Sequence, residues 1–84
     1  MELSPRAERD LDRLPRDDAQ RIARALADLG SDPRPRGVRK LKGTGAPLWR
    51  LRVGDHRVLY SISDKARLVV ALAVRRRSEG TYDL

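Results

Sequence analysis

The chain has 84 residues, 39% of them hydrophobic, with one His, no Cys, no Phe and a formal charge of +7. That is enough for one small domain, residues 1–84, with a thin core. It excludes a disulfide framework and a thiolate metal site. A single His and no acidic cluster give no reason to expect a metal centre or any other cofactor. No apolar run reaches membrane-spanning length and no signal-peptide pattern opens the chain, so the expected location is the cytoplasm, with no membrane partner. The charge is segregated. Residues 1–32 hold six basic and eight acidic side chains, a sum of −2, whereas residues 33–84 hold thirteen basic and four acidic, a sum of +9. Ordinary solvation explains mixed charge but not its separation. A half-domain at +9 points to a polyanion, of which phosphate is the commonest, or to an acidic protein partner, and the two are compatible.

Along the chain, Ser4-Pro5 reads as an N-cap followed by proline at the first helical position. Ala7, Leu11 and Leu14 recur at helical spacing until Pro15 stops the pattern. Asp17 and Asp18 suit the first turn of a second helix. Its apolar stripe is Ala19, Ile22, Ala23, Leu26 and Leu29, and Gly30 is placed to end it. Ser31 to Gly37, with Pro33 and Pro35, is a connector, and Arg34 within it is expected to be inert to substitution. Strand patterns follow at Val38–Leu41, Leu48–Val53 and His56–Ser63. The last, Leu68–Val74, is nearly all apolar and expected at the centre of the sheet, with Met1–Leu3 as an edge stub beside it. The fold class is α+β, an N-terminal helical hairpin packed on one face of a small, largely antiparallel β-sheet.

Gly54-Asp55 is a two-residue turn signal. A hairpin closed there pairs Val53 with His56, Arg52 with Arg57, Leu51 with Val58 and Arg50 with Leu59. Trp49, Leu51, Val53, Val58 and Tyr60 then face the core, while Arg50, Arg52 and Arg57 share the open face. Like charges opposed on a sheet are unfavourable, and neither strand offers a carboxylate on that face. Three guanidinium groups without a counter-charge favour an anion site over a merely solvated edge, and the guanidinium fork suits phosphate. Arg75-Arg76-Arg77 adds charge, although a basic triplet near a chain end is more often a solvated tail. Tyr82 either anchors that tail or stacks on a base. His56, the one side chain titrating near neutrality, falls by alternation on the core side, which favours a packed histidine over a general base.

Leu3-Ser4-Pro5-Arg6-Ala7-Glu8 through Leu14-Pro15, the run Lys40-Leu41-Lys42-Gly43, the block Leu48 to Tyr60 and the tail Val74 to Tyr82 together resemble the RelE/ParE toxins. The resemblance covers nearly the whole chain and is most specific in the middle block. The short opening strand is what a member with a clipped first strand, or with a start codon further upstream, would show.

The resemblance implies a RelE-like fold and a toxin of a type II toxin–antitoxin pair, an endoribonuclease that cuts mRNA in the ribosomal A site. The attacking group would be the ribose 2′-hydroxyl, and no metal would be needed. It implies as partners a cognate antitoxin, the ribosome with its mRNA, and operator DNA through the antitoxin. The alternatives are a ParE-like inhibitor of DNA gyrase, and a catalytically weak protein that binds antitoxin and operator DNA. Carried over, the catalytic positions are Arg50, Arg52, Arg57, Tyr82 and a late arginine, Arg77 or Arg76 according to the anchor. Lys40, Lys42, Arg75 and Arg76 would bind RNA. Arg50 and Arg52 stand where RelE toxins often have Lys, and the exchange at Arg52 removes the proposed base, because a guanidinium does not deprotonate in proteins. A phosphate clamp survives that change, since stabilising a charged transition state needs only charge. His56 stands where the family often has Tyr.

Overall fold

The computed structural model describes residues 1–41 and 47–76. Its elements in chain order are β1 (Glu2–Leu3), α1 (Pro5–Asp12), α2 (Arg16–Ser31), β2 (Arg39–Leu41), β3 (Leu48–Val53), β4 (His56–Ser63) and β5 (Leu68–Arg76). The strands form one sheet in the order β1-β5-β4-β3-β2. Every neighbouring pair is antiparallel except β1 with β5. The two helices cover one face, which makes the α+β architecture expected from the pattern. Among the described residues no helix is long and apolar enough to cross a membrane.

Ser4 starts α1 and also ties it to the sheet. Its Oγ accepts from the Ala7 N–H at 3.1 Å and donates to the Leu72 carbonyl at 3.0 Å, while its own N–H donates to the Ala71 carbonyl at 2.9 Å. Asp10, two turns on, accepts from the Val74 N–H at 2.9 Å through Oδ2. The stub β1 pairs with β5 only at Val70 and Ala71. Beyond it the β5 backbone finds its partners in these two side chains of α1. An otherwise open sheet edge is thereby satisfied and covered.

The α2 helix buries Ile22, Leu26 and Leu29, with Ala7 of α1, against Val58, Tyr60, Val69, Ala71 and Val74 of the sheet. Ala23, expected in that stripe, is exposed. Gly30 does not end the helix: α2 runs through it to Ser31 and is capped by Asp32 at φ −136° and ψ 93°. The stop comes from Pro33, which disfavours helical geometry in the residue before it. What Gly30 provides is room, because a Cβ there would stand 3.4 Å from the Met1 Cβ.

The strand expectations at Leu48–Val53 and His56–Ser63 match β3 and β4 to the residue. β5 runs to Arg76, two residues further than the apolar run suggested. It is interior but not central. The central strand is β4, third of the five, with β5 between it and the edge strand β1. Between β4 and β5 the register slips at Leu59/Tyr60, so that Leu59 faces Ala73, Tyr60 faces Ala71, and Leu72 is the extra residue of a bulge.

Tyr60 is fully buried, and its hydroxyl donates to the Pro33 carbonyl at 2.9 Å, which pins the connector to the centre of the sheet. Burial pushes its ionisation up to about 12, partly opposed by Arg34 and reinforced by Asp32. An acid whose folded value is raised stabilises the fold below its unfolded value and loses that contribution as pH climbs through the folded one. Stability should therefore fall between about pH 10, the ordinary tyrosine value, and about pH 12. Tyr60→Phe should cost about 1 kcal/mol in denaturant titrations at neutral pH, the worth of one hydrogen bond. It should also flatten that alkaline decline.

Candidate nucleic-acid interface

The turn between β3 and β4 determines which side chains meet. Gly54 has φ 58° and no positive φ occurs at Asp55, the sign pattern of a type II′ hairpin turn. The register that follows pairs Val53 with His56, Arg52 with Arg57, Leu51 with Val58 and Arg50 with Leu59, as the two-residue turn requires. Residues directly opposite on a sheet share a face. Arg50, Arg52 and Arg57 accordingly stand together on the face away from the helices. With Arg39 and Gly37 they line a groove of about 340 Å³. Arg39 and Arg52 are exposed, while Arg50 and Arg57 are half-buried along their stems.

Arg39 was not among the sequence-derived candidates. It reaches the groove because β2 pairs with β3 so that Arg39 faces Arg50. The alternation of Val38 to Leu41 carries its parity, but no short turn joins β2 to β3 to fix the register. Arg75 stands opposite Arg57 on the other side of β4, which gives a row of Arg52, Arg57 and Arg75 across three strands. Arg76 faces His56 and so points to the helix side, where it lines a separate cleft with Asp10, Arg13, Asp18, Asp55 and His56. Lys40 pairs with Trp49 and also lies off the arginine face, at the edge of the helix side. The structure therefore does not bring Arg76 or Lys40 to the groove. Lys42, Arg77 and Tyr82 lie outside the described residues.

Among the described residues the one ion pair is Arg34 with Asp64, bidentate at 2.8 and 3.0 Å. The groove arginines have no such relief. Two unit charges about 5 Å apart repel by roughly 0.8 kcal/mol in water and about 3 kcal/mol at an effective dielectric of 20. Such a face is tolerable when solvated and becomes strongly attractive to an anion that displaces the water. His56 is buried on the opposite side and supplies no base to this groove. Trp49 is only half-buried: its inner edge packs on the core and the Arg34 guanidinium lies 5.1 Å from its ring centroid. Arg34 is thus engaged with both Asp64 and Trp49, the former through an exposed ion pair of the kind that contributes little to stability. That pairing raises its ionisation and lowers that of Asp64, through the shared hydrogen bonds first.

If the groove is preorganised for an anion, removing one cation should relieve the free protein. Arg57→Ala should leave the melting temperature unchanged or raise it slightly, and the gain should shrink as salt screens the repulsion. Arg24→Ala, on the exposed outer side of α2, should leave it unmoved at any salt concentration.

Comparison with known proteins gives a consistent family. Residues 1–80 match the family described as the ParE toxin of the type II toxin–antitoxin system, parDE. Among solved structures, a chain of the archaeal RelE–RelB complex from Pyrococcus horikoshii is 31% identical, with a TM-score of 0.80 and 94% of both chains covered. A chain of the RelBE2 toxin–antitoxin complex from Mycobacterium tuberculosis is 33% identical, with a TM-score of 0.78, covering 89% of this chain and 93% of that one. The intact Escherichia coli RelBE complex, at 18% identity and a TM-score of 0.75, shares the fold. Curated protein sequences gave no match. With the family match running from residue 1 to residue 80 and about a third of the residues shared with two RelE–RelB structures, the chain belongs to the RelE/ParE superfamily and is a toxin of a type II toxin–antitoxin system.

Proposed function

We propose that this toxin is an mRNA endoribonuclease that acts on the ribosome. The observation that carries the reading is the groove of Arg39, Arg50, Arg52 and Arg57, four cations on one sheet face with no carboxylate partner among the described residues. In the reaction the ribose 2′-hydroxyl oxygen attacks the adjacent phosphorus and gives up its proton to the ribosomal surroundings or solvent. The O2′–P bond forms, the P–O5′ bond breaks and O5′ takes up a proton, leaving a 2′,3′-cyclic phosphate and a 5′-hydroxyl. Negative charge accumulates on the non-bridging oxygens. Arg52 and Arg57, directly opposed, offer paired forks to those oxygens, with Arg50 and Arg75 beside them. Fixed cations aimed at developing charge are worth most where water is excluded. Arg77 and Tyr82 are assigned by resemblance to the late arginine and to stacking on a base.

No groove side chain is a base at neutral pH, so alignment of the 2′-hydroxyl must come in large part from the ribosome's hold on the message. That supports dependence on the ribosome. Purified toxin added to ribosomes programmed with a defined message should cut it in the A-site codon and leave the same message intact when free. Arg57→Ala should lower the rate about ten-fold or more, the loss of one contact to transition-state charge. The ParE description of the matching family favours a second reading, inhibition of DNA gyrase. Blocked supercoiling with intact translation would establish it in place of cleavage.

The RelE–RelB complexes support a protein antitoxin as partner. Such an antitoxin would carry acidic and amphipathic helical segments to cover the half of the chain at +9, and operator DNA would be bound through it. Co-expression with the adjacent gene's product should restore growth and give a complex on gel filtration. Unchanged toxicity would remove that pairing.

A further inference from the structure

The arginine groove contains two separate pairs. Arg52 faces Arg57 across the β3–β4 ladder, and Arg39 faces Arg50 across the β2–β3 ladder. Arg50 and Arg52 are two residues apart on β3 and the pairs straddle adjacent ladders, so their centres are offset by about 6.6 Å along the strand and about 4.8 Å across it, roughly 8 Å in all. That offset is of the order of the spacing between successive phosphates of an extended nucleic-acid strand. Both pairs open into the same groove. Gly37 lines it beside Arg39, and a Cβ there would meet nothing within 4 Å among the described residues.

We propose that the Arg39–Arg50 pair is a second phosphate subsite, which holds the phosphate next to the one gripped by Arg52 and Arg57. The ligand class is a single strand carrying at least two consecutive phosphates, and Arg39 is a positioning residue that never touches the reacting phosphorus. The assignment of Arg52 and Arg57 to the reacting phosphate rests on the endoribonuclease reading. The two-phosphate groove itself requires only that a nucleic-acid strand binds there.

Equilibrium binding of full-length toxin to two uncleavable 2′-deoxy probes separates these ideas. One is a dinucleotide with a single internal phosphate, and the other is a trinucleotide with two. The wild-type protein should bind the trinucleotide about ten-fold more tightly, as expected for an added charge-assisted contact. Its salt dependence should be steeper by about 0.7 in log–log slope, the increment for one more phosphate on a single strand. Arg39→Ala should lose both the gain and the steeper slope while keeping its grip on the dinucleotide. Arg39→Lys should retain the slope, which shows that the alanine variant failed through charge and not through folding. In the ribosome assay Arg39→Ala should act mainly on KM and Arg57→Ala on kcat.

The subsite is overturned if Arg39→Ala gains as much from the second phosphate as the wild type, or if the wild type gains nothing. If the wild type shows the two-phosphate gain but never cuts ribosome-bound message, the subsite stands and the endoribonuclease reading falls. If cutting is efficient and Arg39→Ala binds and cuts like the wild type, the reverse holds.

Discussion

The two-residue turn at Gly54-Asp55 is the constraint from which the working surface follows. A positive φ at Gly54 closes β3 on β4 with no residue to spare, so each side chain on both strands is committed to a face. The side-chain period of a strand is two residues, and a shift of one would exchange the faces completely. Burial enforces the same choice, since Val58 and Tyr60 are fully inside. The arginines are therefore on the open face because their apolar neighbours cannot be. Charge clustering here is a by-product of a register paid for by the core.

The rest of the fold is arranged to hold that register with little material. Its core is a single layer of side chains between two helices and the sheet. Polar side chains supply what apolar mass does not. Ser4 and Asp10 bond the β5 backbone, Tyr60 reaches across to Pro33, and Arg34 bridges Trp49 to Asp64. Each joins segments distant in sequence, and each lies on or toward the helix side or the connector. Among the described residues the arginine face contributes no comparable side-chain bond.

The parts of this arrangement legible in the sequence were those determined locally. Ser4-Pro5, the alternation of Leu48–Val53 and His56–Ser63, and the turn between them carry their own geometry, so the Arg52–Arg57 opposition could be derived before any coordinates. Arg39 could not be placed, because its register depends on how β2 docks on β3 and no short turn transmits it. Gly30 looked like a helix terminator because glycine usually is one. Its role depends instead on the approach of Met1, a contact between residues distant in sequence. The apolar run of β5 signals an interior strand, which it is, but strand order cannot be read from composition, and the order puts β4 in the middle. Arg76 and Lys40 read as part of one basic surface, and parity alone sends them to the other side.

The bulge at Leu72 has a consequence for how such chains can change over time. Below it Tyr60 faces Ala71, and above it Val58 faces Val74 and Arg57 faces Arg75. If Leu72 took a place in the ladder instead of bulging out of it, Leu72 would stand opposite Leu59, Val74 opposite Arg57, and Arg75 opposite His56 beneath the helices. The bulge is thus what keeps Val74 on the core side and Arg75 in the Arg52–Arg57–Arg75 row, and deleting Leu72 itself would leave those pairs unchanged while making the ladder regular. A one-residue insertion or deletion elsewhere in β5 would exchange the faces of the residues beyond it, whereas a deletion at Leu72 would not. Aligning relatives by residue type through their arginine-rich ends, without counting the bulge, would equate side chains that point to opposite sides of the sheet.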